Sequence, residues 1–354
     1  KPNEDDNTVE DVFGSGWPER NEIADLVWFP TGGGKTEAYL GIIAFAISLR
    51  RFIKGQKGFG TIVLMRYTLR MLTLQQFQRA TLLICALEVI RKDEFSLPQN
   101  FYLGDERISI GLFVGGDSLP NGWESTSFSK GMSETLKDVS SQITNNSTLA
   151  TKLPFTECPW CGGGLFVDED LKNIKPNHKG TYGINDQLNI ACNTKGCTFH
   201  SRRASEKSSL PLRLFDDDIY KFPPTLLFGT VDKFASFANN VSNLAKERKK
   251  DTRRLVGKGY PDRNVLPPEL IIQDELHLLL GPLGSSVGLF EKGIDYLCTY
   301  FDNKGKKIKP KVVTSTATTR NTDKQIFALF NRRSEIFPKQ GITCDDSFFA
   351  FYKR

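Results

Sequence analysis

Short apolar runs recur along this chain at 25–29, 61–66, 108–114, 225–229, 270–273 and 312–315, each rich in Ile, Val and Leu. Runs of four to seven such residues, without polar alternation, are what strands buried on both faces require. Several of them are followed by stretches of helical period, at 36–51, 69–91, 231–248 and 285–300. Strands alternating with helices predict an α/β fold: a parallel sheet with helices on both faces, whose ligands bind beyond the carboxyl ends of the strands. The segment 117–210 breaks the pattern. It is rich in Ser, Asn, Thr, Gly and Lys and contains four cysteines, so it is expected to be an irregular insertion. The expected organisation is therefore a discontinuous lobe, 1–116 with 211–354, interrupted by 117–210.

The first apolar run feeds Pro30-Thr31-Gly32-Gly33-Gly34-Lys35-Thr36-Glu37, and a helix follows. Strand, glycine-rich turn and helix in that order form a phosphate cradle. Glycines let the backbone turn sharply and bring amide hydrogens close to phosphate oxygens, aided by the positive end of the helix. Lys35 is expected between the β- and γ-phosphates of ATP and Thr36 on Mg²⁺, with Thr31, Gly32, Gly33, Gly34 and Glu37 completing the nucleotide-binding segment. Phe29 stands where the general pattern has glycine, a departure that helicase-type loops tolerate. The fifth run leads into Asp274-Glu275-Leu276-His277. Asp274 is expected to hold Mg²⁺ with Thr36, and Glu275 to take the proton of the attacking water. His277 is either a coupling residue or a structural histidine. Thr314 to Thr318, after the sixth run, can hydrogen-bond to the acidic loop and sense the nucleotide, or simply cap the strand.

Three motifs in this order resemble the first motor lobe of superfamily 2 helicases of the DExH type. The resemblance implies a RecA-like lobe, with coupling by His277, Thr316, Ala317 and Thr318. It also implies nucleic-acid contacts from Arg66, Thr68, Arg70, Gly115, Gly116 and Thr230, which would grip phosphates without base preference. Four stretches, WPERNEIADLVWFPTGGGKTEAYLG, VLMRYTLRMLTLQQFQR, PPTLLFGTVDKFA and PPELIIQDELHLLLGPLG, resemble more closely the helicase of the DISARM antiphage-defence system. They cover most of the motor part. They imply DNA rather than RNA as the nucleic acid, and a partner protein of the same system. A second RecA-like lobe, needed to supply arginines to the γ-phosphate, is not recognisable after Thr318. Arg332 and Arg333 come too soon for it and are expected on the surface. One lobe of a larger motor, poorly active alone, is the expectation; a P-loop switch that controls assembly without translocation is the alternative.

Cys158-Pro159-Trp160-Cys161 and Cys192-Asn193-Thr194-Lys195-Gly196-Cys197 have the spacing of two zinc knuckles, and four thiolates would close a structural Zn²⁺ shell. His178 and His200 are substitutes if one cysteine is not a ligand, and four free thiols are the alternative. Cys85, Cys298 and Cys344 are expected to be packing residues. Trp160 is expected either exposed to a partner or buried against the metal. Trp17, with Arg20, would stack on an adenine or anchor the segment.

Of 354 residues, 39% are hydrophobic and the formal net charge is +6, which permits nucleic acid without requiring it. The basic stretch 246–263 is expected to be a solvated loop or helix end. The chain begins at Lys1 without a signal-peptide pattern, and no membrane-spanning run is present. A fragment of a cytoplasmic protein is expected.

Overall fold

The structure is a computed structural model. It describes residues 22–28, 34–68, 74–93, 102–116, 118–127, 129–132, 134–135, 154–155, 157–165, 174–176, 188–192, 194–200, 209–241, 251–258, 264–316 and 322–338. The described elements, in chain order, begin with β1 (Ile23–Val27), α1 (Lys35–Lys54), β2 (Val63–Tyr67), α2 (Leu74–Lys92) and β3 (Ile110–Phe113). Next come β4 (Ile174–Pro176), β5 (Leu188–Ile190), β6 (Leu212–Arg213), α3 (Asp216–Lys221), β7 (Leu226–Thr230), α4 (Val231–Phe234) and α5 (Ser236–Asn239). The remainder are α6 (Thr252–Leu255), β8 (Leu270–Gln273), α7 (Gly281–Cys298), β9 (Tyr300–Phe301), β10 (Lys307–Ile308), β11 (Lys311–Ser315), α8 (Thr322–Phe330) and β12 (Arg333–Phe337).

Eight strands form one sheet in the order β12-β1-β11-β8-β2-β7-β3-β6, and every pairing in it is parallel. All six strands expected from the apolar runs lie in it. Two core layers cover its faces, and the two-residue period of the strands decides which side chain enters which layer. Val63, Met65 and Tyr67 of β2 pack with Tyr39, Ile43 and Ile47 of α1 and Phe77 and Ile84 of α2. Leu64 of β2 and Leu227 of β7 enter the opposite layer with Phe234, Val287 and Ile294.

Helix boundaries differ from the periodicity in two places. The third helix leaves helical geometry at Asn240, which has φ −98° and ψ 38°, and within the described residues it is two short pieces, α4 and α5. The fourth begins earlier, at Gly281, and ends at Cys298. Thr299 is extended (φ −83°, ψ 137°), and Tyr300 belongs to the β9–β10 hairpin rather than to the helix. Arg332 is not on the surface. It is 3% exposed, donating from Nη1 to the Pro310 carbonyl at 2.6 Å and from Nη2 to Asp295 at 2.7 Å, because it stands just before the edge strand β12 against the end of α7.

The described residues of the segment 117–210 share a core with the sheet. Phe155, Cys158, Leu165, Leu188, Ile190, Cys192 and Phe199 belong to the same core layer as α1 and α2. The Leu210 amide donates to the Ile190 carbonyl at 2.7 Å, one step before β6 joins the sheet beside β3. No helix among the described residues is long and apolar enough to cross a membrane.

Candidate nucleotide site and thiol cluster

Parallel pairing places the ends of β1, β11 and β8 side by side. Val27 pairs with Ser315, and Thr314 with Gln273, so the chain leaving β1 toward Gly34 and the acidic loop leaving β8 emerge on one edge. They stand two strand spacings apart, roughly 10 Å, with β11 between them. Gly34 has φ +81°, the left-handed conformation that lets the turn enter α1 directly. Lys35 and Thr36 occupy the first turn of α1, half-buried, and Glu37 is exposed and pairs with Arg79 of α2. Thr31, Gly32 and Gly33 lie outside the described residues.

Asp274 is 5% exposed and held from three sides. Its amide donates to the Arg66 carbonyl at 3.0 Å, its Oδ1 accepts the Glu275 amide at 2.9 Å, and the Ser315 hydroxyl donates to the same oxygen. Glu275 takes φ +51°, a left-handed conformation unfavourable for a side-chain-bearing residue, and this turns the chain sharply after Asp274. Its Oε2 lies 3.3 Å from His277 Nδ1. Gln325 of α8 donates to the carbonyls of Leu276 and Leu279, both at 2.8 Å, and so ties the acidic loop to the helix that follows β11. Thr316 is fully buried at the end of β11, while Ala317 and Thr318 lie outside the described residues.

Two tyrosines missed in the sequence complete this corner. Tyr39, one turn into α1 from Lys35, and Tyr67, the last residue of β2, are both fully buried. Burial first, and then the Asp274 carboxylate, push both phenols far above their ordinary range. The Tyr39 hydroxyl lies beside Ser315 and the Tyr67 hydroxyl beside the Asp274 carboxylate. Nothing in local sequence marks them; only the sheet order brings Tyr39, Tyr67 and Ser315 to Asp274.

The expected nucleic-acid contacts divide. Gly115 and Gly116 follow β3 at the same edge and are accessible. Arg66 is corrected: it is fully buried and its guanidinium pairs with Glu291 of α7, between the rings of Phe234 and Phe330. Alternation along β2 puts Arg66 on the side of Leu64, opposite Met65 and Tyr67, and so into the layer of Phe234 and α7. Thr68 and Thr230 are 5% and 0% exposed, and their hydroxyls are enclosed rather than presented to a polymer. Arg70, Trp17 and Arg20 lie outside the described residues.

The Sγ atoms of Cys158, Cys161, Cys192 and Cys197 all lie within 4.8 Å of one another. Tetrahedral zinc with Zn–S bonds near 2.3 Å needs sulfurs about 3.8 Å apart, so the cluster fits. Each half is a tight turn: the Gly162 amide donates to the Cys158 carbonyl at 2.8 Å, and the Cys197 amide to the Thr194 carbonyl at 3.2 Å. The Thr194 amide also points at Cys192 Sγ, 3.3 Å away. Burial drives the Cys158 thiol up, whereas for Cys161 the Gly163 amide and neighbouring thiols outweigh it and draw the pKa down to about 7. His200 is not in the cluster; its Nδ1 lies 3.0 Å from the Cys192 carbonyl. His178 lies outside the described residues. Trp160 is half-buried, edge-on to Phe199 at 5.9 Å. Cys85 and Cys298 are buried packing residues, and Cys344 lies outside the described residues.

No protein-family model matches the chain. In solved structures, the DUF1998 helicase MrfA overlaps 93% of this chain and 31% of its own, with 11% identity and a TM-score of 0.39. The same helicase bound to DNA and AMPPNP overlaps 92% of this chain and 30% of its own, with 12% identity and a TM-score of 0.26. The chain spans under a third of the length of these proteins and of the curated relative it matches. Over 93% of its own length the chain is 33% identical to the DISARM protein DrmA of Bacillus paralicheniformis, of which it spans 29%, and it is a relative of that part of DrmA.

Proposed function

We propose that this chain is the ATP-binding lobe of a DNA-directed helicase or translocase that serves antiphage defence together with a partner protein. The observation that carries the reading is the meeting at one sheet edge of Gly34 and the first turn of α1 with the Asp274–Glu275 loop and the Ser315 hydroxyl on Asp274. The similarity to DISARM protein DrmA supports the defence role. Lys35 would neutralise the β- and γ-phosphates, and Thr36 and Asp274 would hold Mg²⁺. A bound Mg²⁺ would supply charge stabilisation for the departing phosphate. Glu275, turned by its left-handed backbone, would orient a water and take its proton. His277, beside Glu275, and Thr316 to Thr318 would pass the change to the DNA-facing loops, of which Gly115 and Gly116 are accessible. The four thiolates would hold a structural zinc.

Two variants test this. Lys35→Ala should abolish binding of a fluorescent ATP analogue. Glu275→Gln should keep binding and lose turnover by roughly 10²-fold or more. ATP should change the affinity for a DNA oligonucleotide in the unsubstituted chain and not in Lys35→Ala. Wild-type nucleotide affinity in Lys35→Ala would sink the cradle assignment. DNA affinity indifferent to ATP would sink the motor.

A further inference from the structure

The sheet's opposite edge carries a second built feature. An open groove of about 890 Å³ lies before the amino ends of β2, β8 and β11, lined among others by Lys54, Lys57, Lys258, Leu266, Tyr300 and Phe301. It is separated from the cradle by the length of a five-residue strand, roughly 17 Å. Its wall is rigid. Arg50, 2% exposed, donates to the carbonyls of Leu266 at 2.5 Å and Pro267 at 2.6 Å, and the Leu266 amide donates to the Lys57 carbonyl at 2.9 Å. Gly257 closes the far side at φ +76°, where a Cβ would lie 2.4 Å from the Val265 carbonyl oxygen.

The β9–β10 hairpin forms the remaining side. Lys307 pairs with Phe301 across it, so both side chains share one face. Lys304 occupies its turn, and Phe301 is 68% exposed. The Asp302 carboxylate is turned into the hairpin, accepting the Lys304 and Lys306 amides at 2.8 and 2.9 Å. Among the described residues none of Lys57, Lys304 and Lys307 pairs with a carboxylate, while Lys54 faces the Glu269 carboxylate already paired with Arg50, and Lys258 lies over the Tyr296 ring at 5.8 Å. Five ammonium groups gathered around this wall, outnumbering the carboxylates of Glu269 and Asp302 beside them, raise the local potential for a polyanion. An exposed aromatic ring within the same array adds what carboxylate-rich peptides do not need and unpaired bases do, a stacking face.

We propose that this groove binds the sugar–phosphate backbone of a single-stranded polynucleotide, with the lysines on successive phosphates and Phe301 stacked on a base. This extends the nucleic-acid function proposed above to a surface remote from the nucleotide. It gives the molecule a holding contact that does not change with ATP. Every substituted side chain is exposed, so folding is spared.

The test uses the whole chain and a fluorescently labelled oligothymidylate. Lys54→Glu/Lys57→Glu/Lys304→Glu should weaken binding by about tenfold or more at low salt, and reduce the slope of log affinity against log salt by about 2. Phe301→Ala should weaken it at least fivefold, and bind single strands and duplex with less distinction. ATP-analogue binding should be unchanged in both. Unchanged oligonucleotide affinity and slope in the triple variant would overturn the groove and leave the motor standing. The same holds if a labelled acidic peptide binds the unsubstituted chain and only its binding is lost in the triple variant, since the groove would then take a protein. No oligonucleotide binding by the unsubstituted chain would overturn both proposals.

Discussion

At the scale of single residues, Asp274 shows how much of a site lies in its supports. Ser315 donates to the same oxygen that accepts the Glu275 amide, so removing the hydroxyl frees a carboxylate that must keep one orientation. Ser315→Ala is expected to lower ATP turnover by roughly tenfold, the weight of one hydrogen bond to a charged group, while ATP affinity changes little. Steady-state kinetics read this directly, and a change confined to KM would contradict it. A second residue, Glu88 of α2, acts on stability. It is fully buried, yet it receives Arg91 at 2.7 and 2.8 Å and the Ile108 amide at 2.9 Å. Burial pushes its carboxyl up, but these partners outweigh it and hold the pKa below the ordinary 4.5. A depressed carboxylate contributes stability above 4.5 that is lost as pH falls through its folded value. Glu88→Gln should therefore cost about 3 kcal/mol at neutral pH, and the gap to the unsubstituted chain should narrow below pH 4.5 in denaturant titrations.

At the scale of elements, β2 and α7 are joined by the Arg66–Glu291 pair, with both side chains under 5% exposed. Burial pushes the Glu291 carboxyl up, and Arg66 opposes it. Arg66→Met alone leaves a buried charge unpaired and should cost about 3–5 kcal/mol, whereas Arg66→Met with Glu291→Leu should recover most of that. Equilibrium unfolding decides it. Recovery in the double variant marks a structural pair, and a polymer-contact role would leave the double variant stable but deficient in DNA. This pair also shows why elements were legible and roles were not. The six central strands announced themselves as apolar runs because both their faces are covered. The edge strand β12, with Arg333 and Glu335 in it, has no such run and was not expected. Arg66 is legible as a strand residue, and its expected phosphate contact fails because alternation puts it on the side of Leu64, facing the layer of Phe234 and Val287, where Glu291 of α7 meets it. The glycine-rich segment 30–37 and the acidic segment 274–277 are each continuous in sequence, so the spacing within each is readable there. Tyr39, Ser315 and Gln325 act through residues 235, 41 and 49 positions away, counted from Asp274 and Leu276, and only the sheet order assembles them.

At the scale of the molecule, the thiol cluster is not an appendage. Cys158 and Cys192 share one core layer with Phe77 and Ile84 of α2 and Phe228 of β7, and Lys92 of α2 lies over the Phe199 ring at 5.9 Å. The two knuckles come from chain segments joined through 166–187, so a metal across them would fix the cover over α2 and the β3–β6 edge. Loss of that metal would uncouple the cover, and structural zinc contributes on the order of 10 kcal/mol in small domains at neutral pH. Freshly prepared protein is therefore expected to carry about one zinc per chain, measured by elemental analysis. Chelation, or Cys158→Ser with Cys192→Ser, should destabilise the entire sheet in a single transition, with faster amide exchange in Leu74–Lys92 as well as around the cysteines. A separate early transition that leaves that helix protected would mean that the segment around the cysteines folds by itself, and the shared core would then carry no coupling between the thiols and the eight-stranded sheet.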